Sequence, residues 1–190
     1  MSAAEYGKAA GRGMESRNMK AVQKINYGVY LVASTNNGKS NGQIVNTVFQ
    51  VTSEPQSVAV CINKNNLTCD YIAASNAFSV SILDKDTPMT FIGTWGFKSG
   101  RDIDKFSTVK SKFGKTGAPV ALDWAVGWFE CEVQSVTDVG THSIFIGKVV
   151  NDEVIDASKE PLTYEYYRQV KKGKSPAGAP TYVRPEANNG

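Results

Sequence analysis

Short β-forming runs, separated by turns rich in asparagine and glycine, dominate this chain, and no stretch repeats the strand–helix alternation of a doubly wound sheet. Tyr27–Ser34 (YGVYLVAS) is aromatic and β-branched, and Asn36-Asn37-Gly38 and Asn41-Gly42 follow it. Asn-Gly steps supply the positive φ of tight turns, so the pattern predicts a β-hairpin leading into a strand over Gln43–Ser53. Glu54-Pro55 ends that strand, and Ser57–Asn63 (SVAVCIN) begins a third. Phe78–Leu83 (FSVSIL) alternates apolar residues with serine, the period of a half-buried strand. Trp124–Thr137 and His142–Ile155 are two long runs joined at Asp138-Val139-Gly140, a further hairpin.

Helices are few. Thr68 is placed to cap one running to Ser75, with Asp70 in its first turn. Thr87-Pro88 sets a cap and an N1 proline before Met89–Trp95, and a third short piece covers Met19–Lys24. Strands at this spacing, with small helices tucked between them, predict an all-β fold: a closed or nearly closed antiparallel barrel.

Composition narrows the function classes. With 190 residues, 41% of them hydrophobic, the chain fits one domain with an ample core and is not intrinsically disordered. No apolar run reaches the ~18 residues of a membrane span. A net charge of +3, from 21 basic and 18 acidic residues, is too mild for a nucleic-acid binder. Cys61, Cys69 and Cys131 form no C-x-x-C pair and leave an odd count, which points to a reducing cytoplasm rather than to a disulfide framework or zinc. His142 is the sole histidine, so multi-histidine metal sites are excluded and no metal is expected. Residues 1–18 read as a flexible leader or cloning remnant, 19–170 as the folded domain, and 171–190 as an extended arm that lies across a partner subunit or stays loose.

Four segments carry potential chemistry. Along Gln43–Ser53, one face (Val45, Thr47, Phe49, Val51) suits a core wall. The other (Ile44, Asn46, Val48, Gln50, Thr52) mixes amides and a hydroxyl with small apolar groups. It fits an ordinary solvent face, or a wall that holds a flat heterocycle. In Asn63-Lys64-Asn65-Asn66-Leu67-Thr68, unsatisfied amides at a helix start, the Lys64 charge and the Thr68 hydroxyl suit a phosphate, and they suit plain capping equally. Ser99-Gly100-Arg101-Asp102-Ile103-Asp104-Lys105-Phe106 is a second basic loop. If it folds over the first, Lys105 or Arg101 brings a second charge to the same dianion. Gly140-Thr141-His142-Ser143 opens the last strand, and the value of His142 depends on whether that turn borders a pocket. A Ser-His-Asp hydrolase lacks support, because no G-x-S-x-G elbow is present.

Taken in order, Asn41-Gly42 with NTVFQVTSEP (Asn46 to Pro55), CINKNNLT (Cys61 to Thr68), SGRDIDKF (Ser99 to Phe106) and GTHSIFIG (Gly140 to Gly147) resemble the flavin reductase-like family of FMN-binding split barrels. Within it the likeness is nearest to flavoredoxins and to the flavin domain of high-molecular-weight rubredoxins, and it covers roughly Ala21 to Tyr182. The resemblance implies an antiparallel Greek-key split barrel, a homodimer with FMN at or near the interface. It further implies that Asn46, Thr47, Gln50, Val51 and Thr52 line the isoalloxazine and ribityl chain. Asn63, Lys64 and Thr68 would hold the phosphate, with Lys105 as a further phosphate or flavin contact. His142 would sit by the flavin and nicotinamide site as the candidate catalytic residue. Two positions depart from the family pattern: Thr141 stands where many members have Asp, and Pro55-Gln56 replaces Pro-Pro.

The implied activity is hydride transfer from NAD(P)H to flavin N5, with electrons delivered to a flavin, ferric or protein acceptor. If electrons pass to a rubredoxin or flavodiiron partner, that partner is a separate protein, since no paired C-x-x-C iron ligands occur. The alternatives are a flavoredoxin-like carrier with little nicotinamide activity, and an oligonucleotide-binding barrel.

Overall fold

The structure is a computed structural model that describes residues 21–182. The leader over 1–18 and the start of the piece expected at Met19–Lys24 lie outside the described residues; the remainder of that piece is a single 3-10 turn, Val22–Lys24. The chain forms β1 (Tyr30–Asn36), β2 (Lys39–Val45), β3 (Val48–Ser53) and β4 (Gln56–Asn63), then α1 (Leu67–Ser75), β5 (Ala77–Leu83) and α2 (Met89–Phe97). A small β6 (Ser111–Phe113) and β7 (Pro119–Ala121) precede the long β8 (Ala125–Asp138) and β9 (His142–Val154), and α3 (Tyr164–Gln169) closes the order.

Seven strands make one antiparallel sheet in the order β2-β1-β5-β8-β9-β4-β3, and β6 and β7 pair separately. The two edge strands, β2 and β3, are consecutive in the chain and only Asn46 and Thr47 separate them. The sheet must therefore curl until its edges meet at that joint, which is the split barrel. No helix among the described residues is long and apolar enough to cross a membrane.

Two apolar clusters hold the curl. One fills the barrel, with Val32, Val60, Ile62, Phe78, Val80 and Phe145 among its buried members. The other, including Leu31, Ala33, Leu83, Ile92, Trp95 and Leu162, lies outside the sheet beneath α2 and α3. Successive residues of β1 thus point into different cores: Leu31, Val32 and Ala33 are all fully buried. A strand covered on both faces fixes its register strongly, since a one-residue slip would move each side chain into the wrong core.

Several expectations are corrected here. The hairpin turn is Asn37-Gly38, both at positive φ, and Asn41-Gly42 lies inside β2. The run Gln43–Ser53 is not one strand but the end of β2 and the whole of β3. Its supposed core face breaks at the joint: Val45 is buried, while Phe49 and Val51 are 56% and 44% exposed, and Val48 packs inward instead. Thr68 does not cap α1; Asn66 is the N-cap, and no side chain satisfies the first-turn amides. Pro88, not Thr87, is the N-cap of α2, and the Thr87 hydroxyl donates to the Asp84 carbonyl. The serine face of β5 is buried rather than solvated, because Ser79 donates to the Pro119 carbonyl (2.5 Å) and Ser81 to the Ala121 carbonyl (2.7 Å).

The β6–β7 turn is tied down by a wholly buried carboxylate on β8. Glu130 accepts from the Lys115 amide (2.6 Å), the Thr116 amide (2.9 Å), the Thr116 hydroxyl (2.8 Å) and Asn151 Nδ2 (2.9 Å). A Cβ at Gly114 would fall 2.3 Å from its Oε1, so the turn needs glycine to come this close. Burial alone would raise the Glu130 carboxyl, but the bonds from Thr116, Asn151 and Lys115 outweigh it and hold it below its ordinary 4.5. A depressed carboxyl adds stability that is present above the ordinary value and fades as pH falls through the folded one. Glu130→Gln turns an amide NH₂ toward these donors, and urea denaturation at pH 7 should register a loss of about 2–3 kcal/mol. The gap between the two proteins should narrow below about pH 4; an equal gap at pH 7 and pH 3 would remove the carboxylate from this role.

Candidate functional site

A cavity of about 390 Å³ opens between β2, the start of α1, the end of α2 and the chain that follows α3. Its position follows from the second core: α2 and α3 are seated on β1 by Ile92, Trp95 and Tyr167, and the space between them and β2 is left unfilled. Ile44, Val45, Leu67, Ile92 and Trp95 supply apolar lining, and Asn41, Gln43, Asn46 and Asn63 supply amides. Mostly apolar walls with a few placed polar groups suit a flat amphipathic ligand.

One end of the cavity is built for an anion. The first-turn amides of α1 have no side-chain cap, and Thr68 beside them is 1% exposed. The loop Ser99–Lys105 does fold over this helix start: Arg101 reaches the Asn65 carbonyl (3.4 Å) and the Asp70 carboxylate (3.3 Å). Lys105 is 4% exposed, and its ammonium donates to the carbonyls of Gly42 (3.0 Å) and Trp95 (3.3 Å) above the Trp95 ring. It makes no ion pair among the described residues. Burial pushes it down to about 8. A buried cation held only by carbonyls is costly, and an incoming anion offsets that cost.

Of the residues singled out by sequence, Asn46, Asn63, Thr68, Arg101 and Lys105 line the cavity. Thr47 does not; its hydroxyl donates to the Cys61 carbonyl across the β3–β4 pair. Gln50, Val51 and Thr52 lie on the exposed β3, with Gln50 and Thr52 bonded locally to the Thr52 and Pro55 carbonyls. Lys64 turns away from the cavity to pair with Asp138.

His142 lies at the rim. Its Nε2 is 3.2 Å from the Gly178 carbonyl, and its Nδ1 is 2.8 Å from the Thr141 hydroxyl. A carbonyl only accepts, so Nε2 carries the hydrogen and Nδ1 accepts from Thr141.

Sequence reasoning missed Asn41 and the arm, and the spacing of Tyr164, Tyr166 and Tyr167 favours packing aromatics over cover for the flavin. Asn41 was read as a turn. Tyr164 and Tyr167 both line the cavity, stacked 5.9 Å apart, whereas Tyr166 lies under Lys85 and Lys171. The described part of the arm lies over the chain's own cavity with Lys174–Pro176 and Gly178–Pro180. The Gly178 carbonyl accepts from Asn63 Nδ2 (3.0 Å), and Thr181 joins Asn46 Nδ2 (2.7 Å) to the Tyr164 hydroxyl (3.0 Å). A polar, proline-bearing tail gave no signal of this, because its partners lie over a hundred residues away.

The site thus offers a buried unpaired cation, an uncapped helix start and an amphipathic wall, the donor set that an isoalloxazine carrying an anionic tail requires. The family model described as "Flavin reductase like domain" matches residues 22–173. The chain is 47% identical over 165 residues to the ferric-chelate reductase (NAD(P)H) of Archaeoglobus fulgidus, covering 87% of this chain and 97% of that one. It is 44% identical over 164 residues to the high molecular weight rubredoxin of Moorella thermoacetica, covering 86% and 71%. A solved structure of a putative flavin reductase from Haemophilus somnus 129pt superposes with TM-score 0.69 at 26% identity, over 76% of this chain and 90% of that one. The chain belongs to the flavin reductase-like family; it is a flavoprotein oxidoreductase with the split-barrel fold that its motifs implied.

Two outcomes follow from this geometry. The depressed Lys105 binds fewer protons folded than unfolded between about pH 8 and its ordinary 10.5, so stability should rise with pH across that window. Lys105→Met should abolish a rise of roughly 2–3 kcal/mol, read by denaturant titration at pH 7 and pH 10. Ending the chain at Gly173 should leave the melting temperature within a few degrees, since the arm is held mainly by part-exposed hydrogen bonds. The same truncation should increase acrylamide quenching of Trp95 in a variant keeping only that tryptophan, and unchanged quenching would show that the arm does not cover the cavity.

Proposed function

We propose that this chain binds FMN in the cavity and acts as an NAD(P)H-dependent reductase that passes electrons to a flavin, ferric or protein acceptor. The observation that carries the reading is the buried Lys105 ammonium beside the uncapped start of α1, at one end of a cavity otherwise suited to a flat ring. Arg101, Lys105, Thr68 and the α1 amides hold the phosphate, and Asn46, Ile44 and Tyr164 flank the ring. A flavin held there would supply the redox chemistry between a nicotinamide donor and the acceptor. The protein's own work is orientation, charge compensation and exclusion of water.

His142 presents an Nε2–H at the rim, where it orients the donor's carboxamide or compensates charge on the ring. No proton transfer by a side chain is required for hydride transfer itself, which accords with so sparse a set of titratable groups at the site. The Archaeoglobus relative, matched over 97% of its length, favours a ferric chelate among the acceptors, and the Moorella relative favours a rubredoxin-type protein. A homodimer is part of the proposal: β3 ends the sheet next to Asn46 and exposes Phe49 and Val51 there. Three free thiols suit a reducing cytoplasm.

The purified protein should be yellow and should bleach on anaerobic mixing with NADH or NADPH; a colourless protein that takes up no added FMN would refute the assignment. His142→Ala should slow that reduction by about tenfold while FMN stays bound, the scale of one lost positioning hydrogen bond. An unchanged rate would remove His142 from the reaction.

A further inference from the structure

Asn41-Gly42 carries the same Asn-Gly turn signal as Asn37-Gly38, yet the structure puts it in the interior of β2, opposite Ser34 and Ala33 of β1. Where a strong local preference is overruled, a functional or close-packing demand is expected. Gly42 answers to the second: a Cβ there would lie 3.0 Å from the Val32 carbonyl oxygen and 3.1 Å from the Ala33 Cβ. Asn41 is not explained by packing. It is 3% exposed and lines the cavity. Its Nδ2 donates to the Thr68 hydroxyl at 2.8 Å, and its Oδ1 is the one buried side-chain polar atom without a partner among the described residues. Reversing the amide would leave Nδ2 orphaned in its place.

The orphan atom faces Gly100. A Cβ at Gly100 would fall 1.9 Å from Asn41 Oδ1, so only glycine lets the second basic loop lie this close. The same loop is pinned to the next β2 residue by Lys105 on the Gly42 carbonyl, and to the α1 side by Arg101. One side chain therefore touches both halves of the anion site, the helix start through Thr68 and the loop through Gly100.

We infer that Asn41 is the positioning residue that registers the helix start and the Ser99–Lys105 loop around the ligand's phosphate, and so sets the preference for a phosphorylated over an unphosphorylated flavin. Because Asn41 occupies the Thr68 hydroxyl as an acceptor, the hydroxyl hydrogen is directed elsewhere, and it has no acceptor among the described residues. A phosphate oxygen supplies that acceptor. The unpartnered amide atom keeps the loop contact weak, so that the loop can adjust to the ligand. This inference rests on the proposed phosphate-bearing flavin.

The test is a double-mutant cycle on the full chain, read as dissociation constants for FMN and for riboflavin by flavin fluorescence, with circular dichroism to confirm folding. Asn41→Ala and Gly100→Ala should each weaken FMN binding by ten- to a hundredfold while changing riboflavin binding less than threefold. The double variant should bind FMN better than Gly100→Ala alone, since the added methyl occupies the space the amide vacates. Asn41→Asp, with the same shape but a charge beside the phosphate, should lose FMN at least as severely. Equal losses for the two flavins, additive losses in the double variant, or an unchanged FMN preference in Asn41→Ala would each overturn the assignment. If the unsubstituted protein itself does not prefer FMN to riboflavin, the phosphate site fails and this inference fails with it, whereas a retained preference in the variants removes Asn41 alone.

Discussion

Both the barrel and the cavity depend on β1 being covered on two faces. Val32 belongs to the barrel interior, and Leu31 and Ala33 belong to the cluster under α2 and α3. Without the outer cluster the helices would have no seat, and the cavity is the gap between those seated helices and β2. The outer cluster also brings Trp95 beside Phe106 in an edge-on contact at 5.0 Å. That contact delivers the adjacent Lys105 to its buried place, so the electrostatics of the site are a product of apolar packing.

The chain keeps charge in two kinds of environment. Glu130 is buried but saturated by four donors, so it acts as a structural clasp. Lys105 is buried with only two carbonyls for company, and its charge remains available to a ligand. The difference is one of completeness: a fully satisfied buried ion stabilises the fold, and an incompletely satisfied one holds binding free energy in reserve.

Much of the fold was legible because the long strands and their turns are local: β4, β5, β8 and β9 fall close to where alternation and Asp-Val-Gly placed them. The family motifs also located Asn46, Asn63, Thr68, Arg101 and Lys105, all of which meet in one cavity. What failed was decided by distant contacts. The serine face of β5 looks solvent-facing until β7 arrives to accept its hydroxyls. Asn41-Gly42 looks like a turn until α1 and the Ser99–Lys105 loop close on it. Gln43–Ser53 reads as one strand, whereas the chain leaves β2 at Val45 and begins β3 at Val48. No residue-by-residue pattern could reveal that break, since both halves are good β-formers.

The two-residue joint at Asn46 and Thr47 is a covalent tether between the margins of the curled sheet. At that end of the sheet the separation of the margins is limited by the length of a two-residue link, in addition to the packing of the two apolar clusters. Asn46, riding on that tether, takes its position in the cavity wall from both margins at once.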